Sequence, residues 1–355
     1  MNARDLDPVA QALVAPGKGL LAADESGATI GKRFASIGTF STEATRRDYR
    51  ELLFTTPGLN EFISGVILFD ETLRQTTTDG TRLIDLILTA GMIPGIKVDK
   101  GTKPLVGFPG DLITEGLDGL RERLTEYRQL GARFTKWRAV IAVGTNNVPS
   151  LTALKDNAAA LARFAAESQL AGLVPIVEPE VLMDGSHSIE RHAEITGLTL
   201  QLVFQALAEH RVRLEAMLLK PNMILPGTDH PRSATIAEVA DATLRCLRRH
   251  VPAAVPGIVF LSGGQSEVRA TEHLNAMNKI DSTPWQLSFS YGRALQAPVL
   301  ARWRGKPENV SAAQAVLLHR ARCNALARSG KYSSDKEKSV PIAAPLRPTH
   351  SSSRP

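Results

Sequence analysis

Eight rounds of strand–helix alternation, charged residues at the ends of nearly every strand, and no glycine-rich dinucleotide turn after the first strand predict an α/β fold of the (β/α)8 TIM-barrel class. Short apolar runs that end in turn signals supply the strands: Leu20–Asp24, Ser64–Asp70, Ile93–Asp99, Arg133–Val140, Leu173–Glu180, Ala216–Lys220, Ile258–Ser262 and Gln286–Tyr291. Helical periodicity fills most of the intervals. Leu117, Leu120, Leu124 and Tyr127 recur at three- and four-residue steps, as do Ile195, Leu198, Leu202 and Ala206. Asp156–Leu170 is alanine-rich, Glu267–Asn278 reads as a helix after a glycine turn, and Ser311–Ala327 closes the series with Gly330 as its C-terminal stop. An open doubly wound sheet is the competing architecture. It would normally place glycines after the first strand, where this chain has Ala23-Asp24-Glu25-Ser26.

Composition bounds the rest. With 355 residues, 43% of them hydrophobic, the chain can bury a large core. The expected division is one barrel domain over residues 1–330 and a flexible tail over 331–355, where Ser, Pro, Lys and Arg dominate and hydrophobic periodicity ends. No apolar run is long enough to span a bilayer, so no membrane association is expected. Residues Met1–Val9 carry acids and do not read as a signal peptide. Cys246 and Cys323 lack metal-ligand spacing and suit a reducing, cytoplasmic setting. The formal charge of +6 suits an anionic partner without separating phosphorylated metabolites from nucleic acid. No basic run is interleaved with aromatics, and only 5% of residues are aromatic, so nucleic acid is set aside.

The chemistry sits at the strand ends. Lys220 closes the apolar run Met217-Leu218-Leu219, and Pro221 holds the residue before it extended. Desolvation disfavours a charged lysine, and a neutral amine can attack a carbonyl to form a Schiff base. Lys97 and Asp99, Lys136 and Arg138, and Glu178 and Glu180 are each two apart. Each pair therefore projects from one face of a strand near its carboxyl end. With Asp24, Lys220, Ser262 and Arg293, seven of the eight expected strands deliver polar groups to the end where such barrels place their active sites. The second strand ends in Asp70-Glu71, for which no role is legible. Lys136 near Lys220 would disfavour a second positive charge, Glu178 could lose and accept the proton needed to expel water from a carbinolamine, and Asp24 could take a hydroxyl proton.

Two anion sites are expected. Leu261-Ser262-Gly263-Gly264-Gln265 follows a strand and precedes a helix, so its backbone N–H groups can face a phosphate, and Arg293 adds a forked donor from the eighth unit. The second site comprises Lys32 and Arg33 with Lys97. A Schiff-base lysine between two anion sites suits a substrate phosphorylated at both ends, cleaved at the carbon–carbon bond beta to the iminium.

These residues carry a close resemblance to the class I fructose-bisphosphate aldolases. The matching segments are Leu21-Ala22-Ala23-Asp24-Glu25-Ser26, Gly95-Ile96-Lys97-Val98-Asp99-Lys100-Gly101, Thr135-Lys136-Trp137-Arg138, Pro175-Ile176-Val177-Glu178-Pro179-Glu180 and Leu218-Leu219-Lys220-Pro221-Asn222-Met223. Phe260-Leu261-Ser262-Gly263-Gly264-Gln265-Ser266-Glu267 and Phe289-Ser290-Tyr291-Gly292-Arg293-Ala294-Leu295 complete the set in family order. The resemblance implies that Lys220 forms the Schiff base, that Glu178 is the general acid and base with Glu180 in support, and that Asp24 handles the C4 hydroxyl proton beside Lys136 and Arg138. It implies that Ser262, Gly263 and Arg293 hold the C1 phosphate, and that Lys97, Arg33 and Lys32 line the C6 side. A cytoplasmic homotetramer of glycolysis and gluconeogenesis, acting on sugar phosphates without cofactor or metal, is implied as well. A metal-dependent route would need histidines at strand ends, and none of the eight expected strands ends in one. Two segments depart from the family pattern. Gly27-Ala28-Thr29 stands where Thr-Gly-Ser is usual, and the last tyrosine is Tyr332, whereas a terminal tyrosine is common in the family.

Overall fold

The computed structural model describes residues 6–144, 148–280 and 282–338. Ten strands run in chain order as β1 Gly19–Ala23, β2 Ile63–Leu68, β3 Ile93–Lys97, β4 Thr102–Pro104, β5 Leu112–Thr114, β6 Phe134–Ile141, β7 Val174–Val181, β8 Leu218–Leu219, β9 Gly257–Phe260 and β10 Gln286–Tyr291. All but β4 and β5 join in parallel, and β1 pairs with both β2 and β10, which closes the sheet into an eight-stranded barrel. Closure removes the open-sheet alternative. The helices are α1 Asp7–Leu13, α2 Gly27–Ala35, α3 Glu43–Phe54, α4 Asp70–Arg74, α5 Leu83–Thr89 and α6 Leu120–Leu130. The second half adds α7 Leu151–Leu170, α8 Ile189–Glu209, α9 Ile236–His250, α10 Glu267–Lys279, α11 Arg293–Trp303 and α12 Val310–Arg328.

Each strand alternates between two cores. Leu21, Ala23, Val66, Leu68, Ile96, Trp137, Val177, Leu219, Ile258 and Phe260 face outward and pack under the helical layer. Leu20, Ala22, Ile67, Phe134, Val174, Ile176, Leu218 and Val259 fill the barrel, and Ala10, Leu13 and Val14 of α1 and its C-cap seal its amino-terminal end. The inward series then changes character toward the carboxyl end. Two residues beyond Ala22 stands Asp24, beyond Phe134 stands Lys136, beyond Ile176 stands Glu178, and beyond Leu218 stands Lys220. One face of each of these four strands thus supplies both the apolar plug and the charged mouth.

The strand ends deviate from the sequence expectation in three places. Asp70 and Glu71 are not strand residues: they open α4, and they pair with Arg74 at 3.0 Å and Arg46 at 2.6 Å. The β4–β5 hairpin after β3 was not expected, because its strands are three residues long and, Thr114 apart, exposed or half-buried. Residues 331–338, assigned to the tail by their composition, are described and partly fixed by the fold. α12 ends in a Schellman turn, with Gly330 at φ 67°, Gly330 N–H donating to Ala327 C=O and Lys331 N–H to Leu326 C=O. Tyr332 is then buried, and Ser334–Lys338 forms a short 3-10 helix. Residues 339–355 lie outside the described residues.

Packing inside the barrel is tight enough to test. A Cβ on Gly95, between Ile93 and Lys97 on β3, would lie 2.3 Å from the Phe134 ring. Gly95→Ala is expected to destabilise the protein by about 1–3 kcal/mol in urea unfolding, because the ring beneath Lys136 must move. Unchanged stability would mean that the barrel floor has slack.

Candidate active site

Parallel register brings the charged residues together. Lys97 pairs with Lys136 across β3 and β6, and Arg138 pairs with Glu178 across β6 and β7. Leu219 pairs with Val177, and the Lys220 N–H donates to the Val177 carbonyl at 2.8 Å, extending the short β8 ladder by one residue. Lys220 therefore lies beside Glu178, as its place before Pro221 predicts.

Four ionisable groups form the centre. Lys220 is 3% exposed, and its Nζ lies 3.2 Å from Glu178 Oε1. Glu178 Oε2 lies 3.2 Å from Lys136 Nζ, which is 2.7 Å from Asp24 Oδ2. Burial alone would raise the Asp24 carboxyl, but the charges of Lys136 and Lys220, a hydrogen bond from Lys136 and the charge of Lys97 outweigh it and hold Asp24 well below the usual carboxylate range. Glu178 is depressed for similar reasons: burial opposes ionisation, and Lys136, Lys220 and Arg138 overcome it. Burial also works against a charged Lys136, and Asp24, Glu178 and Asp99 reverse that and raise it above the ordinary lysine range. The Lys136 ammonium is thus locked between two carboxylates.

A second ring of pairs steadies the first. Arg138 bonds Glu180, and Lys97 Nζ lies 3.0 Å from Asp99 Oδ1. Asp99 also accepts the Arg138 N–H at 3.1 Å and the Gly101 N–H at 3.2 Å, so it braces β3 against β6.

Two loops and one helix rim the centre. Gly263 and Gly264 have φ of 55° and 92°, in the left-handed region where glycine is unstrained, and turn the chain after β9 into Ser266, the N-cap of α10. Arg293 opens α11 from the neighbouring loop, and its Nη2 would be 3.3 Å from a Cβ on Gly264. The guanidinium thus lies against the glycine turn. On the other side, Ser26 caps α2 by accepting the Thr29 N–H, and α2 carries exposed Lys32 and half-buried Arg33 on successive positions.

All the site residues singled out in the sequence, namely Lys220, Glu178, Asp24, Lys136, Glu180, Ser262, Gly263, Arg293, Arg138, Lys97, Arg33 and Lys32, line one cavity of about 560 Å³ at the carboxyl end of the barrel. A somewhat larger groove of about 650 Å³ lies between α8 and α9 in the helical layer and receives no strand ends. Glu25 was missed. It bonds Arg33, and its other oxygen accepts from Arg50 of α3 at 2.7 Å, while Gln296 of α11 links it to the Ala22 carbonyl. Strand alternation places Glu25 opposite Asp24, and partners 25 and 271 residues away leave no local signal. Ser290 was missed too, being uncharged. Its buried hydroxyl lines the same cavity without a hydrogen-bond partner among the described residues. Among the described residues His319, Cys323 and Glu337 also cluster with metal-ligand atom types, but Arg320 and Tyr332 occupy the Glu337 carboxylate, and none of the three lines the cavity.

Comparison with known proteins agrees with this geometry. The family model for fructose-bisphosphate aldolase class-I matches residues 5–344. A probable fructose-bisphosphate aldolase class 1 of Xanthomonas axonopodis pv. citri is 54% identical, over 94% of this chain and 99% of that protein. The cytosolic fructose-bisphosphate aldolase 4 of Arabidopsis thaliana is also 54% identical, over 91% of this chain and 82% of its own length. The fructose-bisphosphate aldolase of Plasmodium falciparum, solved in complex with TRAP and a small-molecule inhibitor, superposes with a TM-score of 0.92 at 51% identity, covering 93% of this chain and 96% of that one. With a closed (β/α)8 barrel, a buried lysine–carboxylate centre and matches of this extent, the chain belongs to the class-I fructose-bisphosphate aldolase family.

Proposed function

We propose that this protein cleaves fructose 1,6-bisphosphate reversibly into dihydroxyacetone phosphate and glyceraldehyde 3-phosphate, through a Schiff base on Lys220. The observation that carries the reading is a lysine buried at a barrel strand end with a carboxylate oxygen 3.2 Å from its nitrogen. Glu178 takes a proton from Lys220, the freed amine adds to the C2 carbonyl, and Glu178 returns that proton to the carbinolamine hydroxyl, which leaves as water. Asp24 takes the C4 hydroxyl proton, the C3–C4 bond breaks, and its electron pair moves through C2 to the iminium nitrogen to give an enamine. Glyceraldehyde 3-phosphate departs. The proton taken from the C4 hydroxyl is returned to C3 of the enamine, and addition of water to the resulting iminium then releases dihydroxyacetone phosphate and restores the amine.

Lys136 has a supporting role in this scheme. Its ammonium keeps Asp24 ionised as a base and lies on Glu178 from the side opposite Lys220. Ser262, Gly263 and Arg293 hold the C1 phosphate through a hydroxyl, backbone N–H groups and a guanidinium fork. Lys97, Arg33 and Lys32 receive the C6 phosphate, with Glu25 aligning Arg33. Glu180 orients Arg138 over the centre. Two phosphates gripped at opposite rims would hold C2 against Lys220 and make attack effectively intramolecular. Cys246 and Cys323 are buried free thiols, which suits action in the cytoplasm, and the family resemblance favours a homotetramer. No described helix is long and apolar enough to cross a membrane.

Borohydride trapping with dihydroxyacetone phosphate in excess EDTA should leave a stable adduct on Lys220, located by peptide mass mapping. Lys220→Ala should abolish the adduct and lower kcat/KM by roughly 10⁴-fold or more; near-normal turnover in that variant would end the Schiff-base account. Arg293→Ala should raise KM for the bisphosphate about 10- to 100-fold with little loss of stability, the worth of a charged bidentate contact. Unchanged kinetics would displace the C1-phosphate assignment.

The depressed Asp24 carboxyl makes a separate prediction about stability. A group whose folded pKa lies below its unfolded value stabilises the fold above the unfolded pKa, and that contribution is lost as pH falls toward the folded one. The stability gap between the wild type and Asp24→Asn should therefore be constant at neutral pH. It should narrow by about 1.4 kcal/mol per pH unit below about pH 4. Urea unfolding at several pH values reads this directly, and a gap independent of pH would mean that the Asp24 charge does not stabilise the centre.

A further inference from the structure

Arg320, on α12, is 3% exposed and joins three parts of the chain. Its Nη1 donates to Glu337 Oε1 at 2.6 Å, beyond the end of α12, and the Tyr332 hydroxyl donates to the same oxygen at 2.7 Å. Its Nη2 donates to the Glu267 carbonyl at 3.0 Å and to Thr271 Oγ1 at 2.7 Å, both in the first turn and a half of α10. Glu267 is the first residue of α10, directly after the Ser262–Ser266 turn. The helix is gripped from two more directions, once within that stretch and once about a turn further along. Tyr291 Oη, two residues before Arg293, donates to the Ala270 carbonyl at 2.9 Å, and the Tyr332 N–H donates to Asn275 Oδ1 at 3.0 Å. The turn is tied back to its helix as well, since Gln265 Oε1 lies 2.6 Å from His273 Nδ1.

A planar guanidinium can bond a carboxylate with one arm and a helix with the other, which a lysine ammonium on a flexible stem does not reproduce. The Glu337 carboxylate balances the buried charge, so Arg320 can stand against the backbone of α10 without leaving an isolated cation in the interior. Displacing Glu337 would leave that cation uncompensated and free the guanidinium to reorient. The first object it would release is the start of α10.

We propose that Arg320 is a positioning residue for the C1-phosphate site, fastening the Ser262–Ser266 turn through α10 to the Tyr332–Glu337 segment. This rests on the reading that the turn holds phosphate. Glu337 is half-buried at the surface, so its contact with Arg320 can be altered without touching the catalytic centre. Residues just beyond the last helix thereby set how tightly the phosphate is held, while Lys220 chemistry is left alone.

The test compares a ketone that carries phosphate with one that does not. Concentration-dependent borohydride trapping would be run with dihydroxyacetone phosphate and with dihydroxyacetone, on the wild type, Glu337→Gln, Arg320→Gln, Arg320→Lys and Arg293→Ala. Glu337→Gln should require roughly tenfold more dihydroxyacetone phosphate for half-maximal trapping, with the maximal rate and the dihydroxyacetone curve unchanged. Arg320→Gln should shift the same curve further, and Arg320→Lys should not restore it. If Arg293→Ala shows the phosphate-selective loss and Glu337→Gln matches the wild type, the positioning role is overturned while the phosphate site stands. If Glu337→Gln loses both ketones equally, the segment supports the fold in general and the proposal is again overturned. If Arg293→Ala itself shows no selectivity, the phosphate reading fails and the proposal falls with it.

Discussion

The Asp24–Lys136–Glu178–Lys220 chain of charges is the constraint on which the rest of the structure depends. Four ionisable groups lie inside a barrel mouth whose floor is largely aliphatic and aromatic. Any one of them left unpaired in such surroundings would cost several kcal/mol. Alternation of acid and base resolves this: Asp24, Lys136, Glu178 and Lys220 follow one another at 2.7–3.2 Å. The arrangement is also what the chemistry needs. Two carboxylates that can accept a proton stand on opposite sides of the same ammonium, and the proposed nucleophile, Lys220, touches one of them.

The barrel makes that chain of charges possible because it offers a rigid inward face with a two-residue period. Cross-strand register sets which charges meet, so a slip of one residue in β6 or β7 would turn Lys136 or Glu178 into the helical layer. The hydrophobic residues below each charge hold that register: Phe134 under Lys136, Ile176 under Glu178 and Leu218 under Lys220. Chemistry and stability thus share the same strands but occupy different ends of them. The proposed phosphate rims belong to loops and helix starts, where backbone N–H groups and long cationic side chains can approach from outside the barrel.

The distribution of what was legible follows from range. Every inward-facing charge of the centre could be read from the sequence, because spacing by two along a strand and proximity to a turn are local properties. The glycine turn after β9 and the Schellman end at Gly330 were legible for the same reason. Contacts spanning many residues were not. Glu25 meets Arg50 and Gln296 only after three elements have docked, and Arg320 meets Glu337 only when the segment beyond α12 folds back. Polar composition made residues 331–338 resemble a mobile tail, yet one buried tyrosine and one paired glutamate suffice to anchor them. Asp70 and Glu71 misled in the opposite direction, since acids after an apolar strand serve equally well at the start of a helix.

By itself, the sequence determined the fold class, the inward series of charges and the extended place of Lys220 at a strand end, because alternation, periodicity and the proline after Lys220 act within a few residues. Tertiary structure alone decided which carboxylate oxygen faces which amine, since that depends on the register of four parallel strands closed into a ring. It also decided that α10 is held from three directions, because the groups that hold it come from β10, α12 and the segment after α12. Local rules place side chains on faces, and only closure and docking bring those faces to one another.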